Sequence, residues 1–374
     1  MTDPIWRYHN PVEVRFGAGA LGCLGAHTAG RTVTLVTFPE AAELGLTARL
    51  QAVLGSALVQ VIDRTEPNPD VASLAVLYRA FWTEPKAGEV IVAVGGGSVI
   101  DTAKTLMVGT EDARFEALVA LLAAGRPFEP HRAKRLIAVP TTAGTGSEVT
   151  PWATVWDRAA SRKYSLHLPQ TWAEAAIVDP DLTVSLPAGP TLAAGLDALS
   201  HALESIWNVN ANPVSDTHAV AAARTVLATL PELMRDLNDR PLRTRMSQAA
   251  LQAGLAFSNT KTALAHSISY EMTLRHGLPH GIACSFTLPM VLDRALGLDA
   301  GRDTVLARIF GEDLAAAPAR LTRFLEELGV STRFASYGVS AEDEQSLVAA
   351  ALDGVRGRNF IGAQAAPSTV EPIA

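Results

Sequence analysis

The stretch GLDALSHALES, residues 195–205, places a carboxylate and an imidazole four positions apart. On a helix, Asp197 and His201 would lie on one face, one turn apart. Such a pair can be a surface ion pair, a feature of a helix N-terminus, or two ligands of one metal ion. The other chemistry-bearing residues of the chain must decide among these interpretations.

Two histidines further along the chain complete a candidate metal site. His266 lies in the apolar helical pattern ALAHSISYE, and His280 lies in LPHGIACS, where a turn can point its side chain into a cleft. A single histidine in an apolar helix is more often a hydrogen-bonded core residue than a ligand. One carboxylate and three imidazoles, however, are a sufficient ligand set for Fe²⁺ or Zn²⁺. Asp197, His201, His266 and His280 are therefore the predicted metal ligands.

A run of three glycines is a candidate for phosphate binding. It lies in AVGGGSVIDTAK, residues 93–104. Glycines after a strand let the backbone approach a ligand, and the helix that follows offers N–H groups and a positive dipole end. Ser98 can cap that helix or donate to a phosphate oxygen. The run matches neither GxGxxG nor GxxxxGK[ST], and its alternative interpretation is a tight turn that needs glycine for its dihedral angles.

A second turn, VPTTAGTGSEV, residues 139–149, clusters hydroxyls around two glycines. Alone it could be a polar surface turn. Thr141, Thr142 and Thr145 nevertheless follow a strand, as the first turn does. Open α/β sheets bind their ligands at the carboxyl ends of such strands, so the two turns together predict a nucleotide site.

The elements that must position these residues divide into two kinds. β-branched runs such as 31–38 and 57–63 alternate with helical patterns, and this alternation predicts a doubly wound, Rossmann-like parallel sheet. After about residue 185, Ala- and Leu-rich helical patterns dominate, with Pro187 and Pro190 at the seam. We therefore expect an α/β nucleotide-binding domain over 1–185 and an all-helical metal-binding domain over 186–374.

Composition excludes several classes of protein. The 374 residues carry a net charge of −7, with no dense run of Lys or Arg, which argues against nucleic-acid binding. No apolar run approaches the roughly 20 residues of a membrane span. The two cysteines, Cys23 and Cys284, are too few for a disulfide scaffold or a Cys-rich metal site. The first residues lack the pattern of a signal peptide, so we expect a cytoplasmic protein.

Five motifs in combination resemble the iron-containing (group III) alcohol dehydrogenases, from about residue 10 to 360. They are VGGGSVIDTAK, PTTAGTGSE, GLDALSHALE, AGLAFSNTKTALAHSIS and PHG. The resemblance implies a dehydroquinate synthase-like architecture with the metal in the cleft between the two domains. It also implies NAD or NADP as cofactor, a small alcohol or aldehyde as substrate, and a homodimer or larger homo-oligomer. The four predicted ligands fall on the family's metal-binding Asp, His, His and His positions.

The resemblance also assigns residues to the cofactor. The glycine run falls on the family's pyrophosphate turn, the threonines on its second cofactor loop, Lys163 on a lysine close to the cofactor, and Asn68 on a turn bordering the adenosine. Phe38 stands where NAD-preferring relatives often carry Asp, which leaves NADPH use open. The candidate cofactor-binding residues are Phe38, Asn68, Gly95, Gly96, Gly97, Ser98, Asp101, Thr141, Thr142, Thr145 and Lys163.

Two residues near the ligands are candidates for catalysis. Tyr270 replaces a second helix histidine of some relatives, and its phenol could position substrate. His276 is either a local proton relay or a plain polar residue at the rim of the cleft. The expected reaction is hydride transfer between the nicotinamide and a carbonyl carbon whose oxygen is polarised by the metal.

Other activities remain open at this stage. Maleylacetate reductases resemble the whole chain but tend to lose the acidic ligand, which is present here as Asp197. Phosphonoacetaldehyde reductases resemble HSISYEMTLRHGLPHG, and their anionic substrate needs a cation, for which Arg275 is a candidate unless it is a solvated helix-end residue. A sugar-phosphate cyclase, a lyase that uses NAD and metal, would carry more Lys and Arg. A hydrolase would leave the phosphate turns without purpose, and a complete ligand set argues against a non-enzymatic binder.

Overall fold

The structure, a computed structural model, describes residues 5–28, 30–160 and 162–365. Its contacts divide the chain into two units. One comprises Asn10–Leu186, and the other joins the short stretch ahead of it to the chain from Pro187 onward. No helix among the described residues has the length and the apolar composition that a membrane crossing requires.

The first unit is built on a six-stranded parallel sheet in the order β1-β10-β7-β4-β2-β3. Two antiparallel pairs, β5–β6 and β8–β9, lie outside that sheet. The strands are β1 (Glu13–Phe16), β2 (Val33–Thr37), β3 (Leu58–Ile62), β4 (Val90–Gly95), β5 (Val108–Gly109), β6 (Arg132–Ala133), β7 (Arg135–Pro140), β8 (Trp152–Asp157), β9 (Arg162–His167) and β10 (Ala175–Val178). The helices are α1 (Leu24–Thr28), α2 (Leu46–Leu54), α3 (Val71–Thr83), α4 (Gly97–Leu106) and α5 (Phe115–Ala124), with 3₁₀ turns at Ala20–Cys23, Pro39–Ala41, Gly55–Ala57, Ser147–Val149, Pro169–Thr171 and Pro180–Thr183.

The sheet is covered on both faces, which is why its central strands are apolar throughout. Successive side chains of β4 alternate between two cores: Ile91 packs with α4 residues such as Ile100, and Val92 packs with α2 residues such as Leu50. Asp70 caps α3 by accepting the Ala72 N–H at 3.0 Å. The predicted doubly wound α/β unit is therefore confirmed.

Two parts of this unit were not anticipated. The hairpin β8–β9 carries polar and charged residues such as Lys163, so it lacks the apolar signature of a buried strand. The edge strand β1 is four residues long and largely exposed. Both elements owe their strand conformation to a neighbouring strand rather than to a pattern of their own.

The second unit is helical, as predicted. Its helices are α6 (Ala188–Ile206), α7 (Pro213–Arg235), α8 (Arg240–Thr260), α9 (Leu264–Leu274), α10 (His280–Ser285), α11 (Leu288–Ala295), α12 (Ala300–Phe310), α13 (Ala317–Glu327) and α14 (Ala341–Asp353), with 3₁₀ turns at Leu314–Ala316, Phe334–Tyr337, Gly357–Asn359 and Ile361–Ala365. Sequence patterns missed α10 and α11, which are short. The stretch ahead of Asn10 is attached to this unit because the Tyr8 hydroxyl donates to the Leu255 carbonyl at 3.0 Å.

Close packing of α6 fixes the position of the ligand-bearing helix. A Cβ atom built on Gly195 would lie 2.7 Å from Leu230 of α7 and 3.2 Å from Met246 of α8. Because both contacts are with side-chain ends, a larger residue at this position would force Leu230 and Met246 to shift in the packing of the three helices. Asp197 lies two residues further along α6, so the packing of this helix also positions the backbone of Asp197.

Candidate metal centre and phosphate-binding turns

One carboxylate oxygen of the helical unit lies within 4 Å of three imidazoles. Asp197 Oδ1 is 3.7 Å from His201 Nε2, 3.4 Å from His266 Nε2 and 3.8 Å from His280 Nε2. Asp197 and His201 are both buried and lie in the middle of α6. Burial excludes a surface ion pair, and mid-helix placement excludes an N-terminal feature. The structure therefore brings all four predicted ligands together.

A cysteine that sequence reasoning left out joins this cluster. The ligand atoms of Asp197, His266, His280 and Cys284 lie within 4.8 Å of one another. Cys284 follows His280 by one turn of α10, so its helical spacing was a signal that could have found it. Its Sγ donates to Asp197 Oδ1 at 3.4 Å, and burial raises the pKa of the thiol well above its ordinary value. The neutral thiol thus supports the carboxylate.

His201 is held by ring stacking. Its imidazole lies 4.0 Å from the Phe257 ring at an interplanar angle of 11° and 4.6 Å from the His266 ring. Phe257 belongs to α8, so the third helix of the bundle orients the second ligand of α6. Stacking holds the His201 ring nearly parallel to the Phe257 ring and so fixes the direction in which His201 Nε2 points.

Glu204 orients His266 and is the second residue that sequence reasoning missed. Its fully buried carboxylate places Oε2 2.6 Å from His266 Nδ1. The same carboxylate accepts the backbone N–H groups of Ala263 at 3.0 Å and Ala265 at 2.6 Å, and so caps α9, whose N-cap residue has no polar side chain. A carboxylate on the far nitrogen of a ligating histidine is the usual means of fixing its tautomer. Glu204 follows His201 by three residues, so it shares the ligand-bearing face of α6.

The electrostatics of the cluster favour a bound cation. Burial raises the pKa of Asp197, but His201, His266 and His280 outweigh burial and hold that pKa well below its ordinary value. Burial lowers the pKa of His266, but Glu204 and Asp197 outweigh it and raise the net value. Two buried carboxylates need compensating positive charge. A divalent ion can supply that charge in place of protons on the imidazoles, so the donor set fits a metal.

His280 is the most accessible of the four predicted ligands, with 32% of its side chain exposed. The sequence placed it in a turn. It is instead the first residue of α10, directly after a turn in which Gly277 has a φ of 68°. A Cβ atom on Gly281 would lie 1.8 Å from the Ala193 carbonyl oxygen, so only glycine lets α10 start against α6. This close contact between α10 and α6 places His280 near the other ligands.

The two predicted catalytic residues lie near the end of α9. Tyr270 follows His266 by one turn and is half-buried, with the Arg356 guanidinium 5.0 Å from its ring centroid. His276 is half-buried in the turn after α9 and is not among the residues whose donor atoms surround Asp197. The structure thus brings Tyr270 towards the ligand-bearing helix face, whereas it assigns His276 no contact with the cluster.

In the α/β unit, the two small-residue turns follow neighbouring strands and touch each other. The Thr141 N–H donates to the Gly95 carbonyl at 3.0 Å. A Cβ atom on Gly96 would lie 3.2 Å from Thr142, and one on Gly97 would lie 2.7 Å from Thr145. None of the three glycines has a positive φ. Gly96 and Gly97 therefore let the second turn approach closely, whereas a Cβ atom on Gly95 would lie 2.4 Å from the Val99 side chain of α4. A positive φ is not the reason for glycine at these three positions.

The predicted capping role of Ser98 is wrong. Gly96 is the N-cap of α4 and has no side chain to cap with, which leaves the first N–H groups of the helix for another acceptor. Ser98 lies in the first helical turn, and its Oγ accepts the N–H of Asn68 at 3.1 Å. Asn68 has a φ of 56°, so this bond secures a strained turn beside α4.

The remaining candidate cofactor residues lie on the surrounding elements. Phe38 directly follows β2 and is half-buried against both cores of the sheet. Lys163 of β9 holds its ammonium 5.0 Å from the ring centroid of Trp156 on β8. The Arg158 guanidinium donates to the Asn68 carbonyl at 3.2 Å. The cofactor contacts of Phe38 and Lys163 stay predictions, and the Lys163 ammonium acts electrostatically on Asp101 of α4.

Asp101 has a different setting from the other candidates. Its Oδ1 accepts the Ser147 hydroxyl at 2.8 Å, and its Oδ2 accepts the Thr154 N–H at 2.9 Å. Beside it, Lys104, which sequence reasoning missed, is fully buried and donates to the carbonyls of Ser147, Thr150 and Trp152 at 2.6, 2.7 and 2.8 Å. Burial raises the pKa of Asp101 and lowers that of Lys104 to about 8. The pair holds the second turn in place.

Family models match both units. Residues 11–180 match the model described as iron-containing alcohol dehydrogenase, and residues 191–367 match the C-terminal model of the Fe-containing alcohol dehydrogenase family. Together the two matches cover most of the chain, and each falls within one of the two units.

Individual relatives support the same family. The chain is 35% identical to the NAD-dependent methanol dehydrogenase of Bacillus methanolicus over 71% of both chains. It is also 35% identical to the phosphonoacetaldehyde reductase of Streptomyces viridochromogenes, over 76% of this chain and 74% of that protein. Among solved structures, sulfoacetaldehyde reductase from Bifidobacterium kashiwanohense in complex with NAD⁺ matches with a TM-score of 0.86 at 28% identity, covering 96% of this chain and 94% of that one.

Proposed function

The chain belongs to the iron-containing alcohol dehydrogenase family, and from this premise we propose that it is a metal-dependent oxidoreductase that transfers a hydride between NAD(P) and a small alcohol or aldehyde. The observation that carries the proposal is the convergence of three imidazoles on one oxygen of Asp197. A hydrogen-bonded core histidine needs one partner, whereas three histidines around one buried carboxylate form an ion site.

Asp197, His201, His266 and His280 hold the metal, Fe²⁺ or Zn²⁺. When bound, a divalent ion supplies Lewis acidity towards a carbonyl or alcohol oxygen, and the nicotinamide supplies the hydride. Glu204 keeps the proton of His266 on Nδ1 and so leaves Nε2 as the ligating atom. Cys284 also stabilises the carboxylate, because its S–H donates to the same oxygen, Asp197 Oδ1.

The glycine turn ahead of α4 and the threonine turn of residues 141–145 would hold the dinucleotide. Support comes from the uncapped start of α4 and from the contact between the two turns, which gives a phosphate several backbone N–H groups at one edge of the sheet. Asp101 and Lys104 keep the second turn in the required position. NAD and NADP remain alternatives, because Phe38 brings no carboxylate that would repel a 2′-phosphate.

Tyr270 and His276 stay the predicted residues that contact substrate. Tyr270 is one helical turn from His266, so its phenol is placed to orient a substrate near the ligands. A maleylacetate reductase has less support, because Asp197 is present and surrounded by imidazoles. A sugar-phosphate cyclase has no support from the family matches. A homodimer or larger homo-oligomer also stays a prediction.

The proposal is tested by combining metal analysis with a cofactor assay. The protein is purified without oxygen, Fe and Zn are quantified, and oxidation of NADH and NADPH is followed with short aldehydes and with maleylacetate. We expect one metal per chain and aldehyde-dependent oxidation. His266→Ala should lose both, whereas His131→Ala, which alters an exposed histidine, should lose neither.

Two results would overturn the proposal. Reduction of maleylacetate by metal-free protein would show that the four residues no longer bind metal. Full metal occupancy in an inactive His266→Ala variant would show that His266 acts in some way other than ligation. Unchanged thermal unfolding of His266→Ala serves as the control for folding.

A further inference from the structure

A half-buried cation, Arg356, lies beside α9, the helix that carries the metal ligand His266. The Arg356 guanidinium is 5.0 Å from the ring centroid of Tyr270, which follows His266 by one helical turn. Burial lowers the pKa of Arg356 to about 10, although the Glu204 carboxylate opposes that change. Arg356 is therefore charged at neutral pH, and the carboxylate that influences it is the one that orients His266.

The turn that carries Arg356 is tightly fixed. A Cβ atom on Gly357 would lie 2.0 Å from the Ala351 carbonyl oxygen, so only glycine fits after the arginine. The Asn359 side chain donates to the Thr262 carbonyl at 2.8 Å, just ahead of α9, and the Val209 N–H donates to the Asn359 carbonyl at 2.8 Å, just beyond α6. The turn is thus tied to segments next to α6 and α9, two of the three helices that supply ligands, and this anchoring limits the motion of the residue that carries the guanidinium.

Arg275, the cation that the sequence offered for an anionic substrate, does not fill that role. Its side chain is 75% exposed and forms an ion pair with Glu271 at 2.7 Å. Of the two interpretations of Arg275, the structure supports a solvated residue at the end of a helix. Arg356, half-buried and carried by a fixed turn, is therefore the better-placed cation for a substrate anion.

We propose that Arg356, supported by the face of Tyr270, binds an anionic group of the substrate and selects short aldehydes that carry a phosphonate or sulfonate. The inference rests on the proposed function, because the aldehyde end must reach the metal ligands. A planar guanidinium binds two oxygens of such a group at once, and its stacking on an aromatic ring limits its motion.

The test compares charged with neutral substrates in one set of variants. Rates are measured for phosphonoacetaldehyde, sulfoacetaldehyde and the neutral propionaldehyde. Arg356→Met should lower kcat/KM for the two anions by about 100-fold, mainly through KM, and change the neutral aldehyde by less than about threefold. Arg356→Lys keeps a charge but loses the planar fork, so it should recover part of the loss. Arg275→Met is the matched control and should behave as wild type.

A binding measurement separates this inference from the proposed function. Calorimetry follows phosphonoacetate binding to the metal-free protein, with inorganic phosphate for comparison. Binding that Arg356→Met abolishes, in a protein that reduces no aldehyde, would support the anion site and defeat the oxidoreductase. Equal losses for charged and neutral aldehydes in Arg356→Met, or no loss in a variant that unfolds at the wild-type temperature, would overturn the anion site. If Arg356→Met does not fold, Arg356→Lys decides, since an unchanged preference for anions there would equally contradict a role for the planar fork.

Discussion

Each unit holds an aspartate with a shifted pKa, half-buried Asp101 in the α/β unit and buried Asp197 in the helical unit, and the two carboxylates differ in their partners. Asp101 accepts hydrogen bonds from the Ser147 hydroxyl and the Thr154 N–H, beside the ammonium of Lys104. Asp197 is surrounded by three imidazoles and a thiol, all of them potential metal ligands. The chain supplies every partner of the first carboxylate, whereas the second is arranged for an ion.

This difference separates structural from chemical roles within motifs that look equally functional. Burial opposes the charge of both carboxylates. At Asp101 the effect of burial is the larger one, and the pKa is raised. At Asp197 the effect of the histidines is the larger one, and the pKa is lowered. A buried acid that stays ionised among imidazoles marks a metal site more securely than its presence in a motif does.

The largest expected effect comes from Asp197→Asn. The amide keeps the shape of the side chain but removes the charge on which the histidines converge. We expect loss of the metal and a fall in kcat/KM of at least about 1,000-fold. Metal content by mass spectrometry and the thermal unfolding temperature check this result.

Asp101→Asn is the matched control for that prediction. It should lower stability while one metal per chain is retained. If Asp197→Asn kept its metal and lost only activity, or if Asp101→Asn lost the metal, the contrast between the two aspartates would fail.

Lys104→Met should give the largest loss of stability. The variant removes three charge-assisted hydrogen bonds to buried carbonyls and leaves Asp101 without its cation. Breaking one member of a buried pair lowers the free energy of unfolding by about 3–5 kcal/mol. Urea unfolding measures the change. Adding Asp101→Asn to Lys104→Met should restore part of the loss, because the uncompensated charge is then gone.

A surface lysine provides the comparison for Lys104. Lys134 also donates to a carbonyl, that of Gly88 at 2.8 Å, but is only partly buried. Lys134→Met should change stability by less than about 1 kcal/mol. Equal effects of the two lysine variants would show that the buried network contributes no special stability.

The sequence predicted the ligands better than their supports, and the reason is spacing. Asp197 and His201 share a helix face, and the apolar periodicity that predicted α6 also predicted that face. Glu204 was within reach of the same argument. Arg356 was not, because its turn meets α9 only through tertiary contacts such as the bond between Asn359 and Thr262. Local patterns cannot show a contact formed across about a hundred residues.

The glycine-turn motif did not by itself show which contacts its polar side chains make within the protein. It contains Asp101 and Ser98, and residue type alone does not show whether a polar group faces a ligand or its own chain. In the structure, Asp101 faces Ser147 and Ser98 faces Asn68. The central strands of the sheet were predictable because burial on both faces makes them apolar throughout. The hairpin β8–β9 was not, since its pairing depends on the partner strand.

A smaller effect is expected for the pH dependence of stability. Glu148 is buried beside Lys104, and burial raises its pKa to about 7. The folded state therefore retains this proton more readily than the unfolded chain does. The resulting stability is fully present below pH 4.5 and is lost as pH rises through 7. Between pH 5 and 7.5, we expect wild type to lose about 3 kcal/mol relative to Glu148→Gln, whose side chain does not titrate.

Urea unfolding of both proteins at the two pH values measures that difference. The prediction concerns the α/β unit alone, so metal content should stay constant across the series. A constant gap between wild type and Glu148→Gln would show that Glu148 is ionised in the folded state at both pH values. The network around Lys104 would then resemble the metal centre, where the acid keeps its charge.

The smallest expected effect is that of Glu204→Gln, and it tests how the metal centre is built. The amide retains an oxygen that can accept the His266 proton or the Ala265 N–H, but it loses the negative charge that makes His266 a better ligand. Outer carboxylates of this kind change metal affinity by about 10- to 100-fold. Competition with a chelator should show weaker binding in that range, with full occupancy restored at high metal concentration. Recovery of activity with added metal would identify Glu204 as a positioning residue, because Asp197→Asn cannot be rescued in this way. If added metal did not restore the activity of Glu204→Gln, Glu204 would be as essential to the metal site as the ligands themselves. The distinction between ligands and supporting residues would then not hold for Glu204.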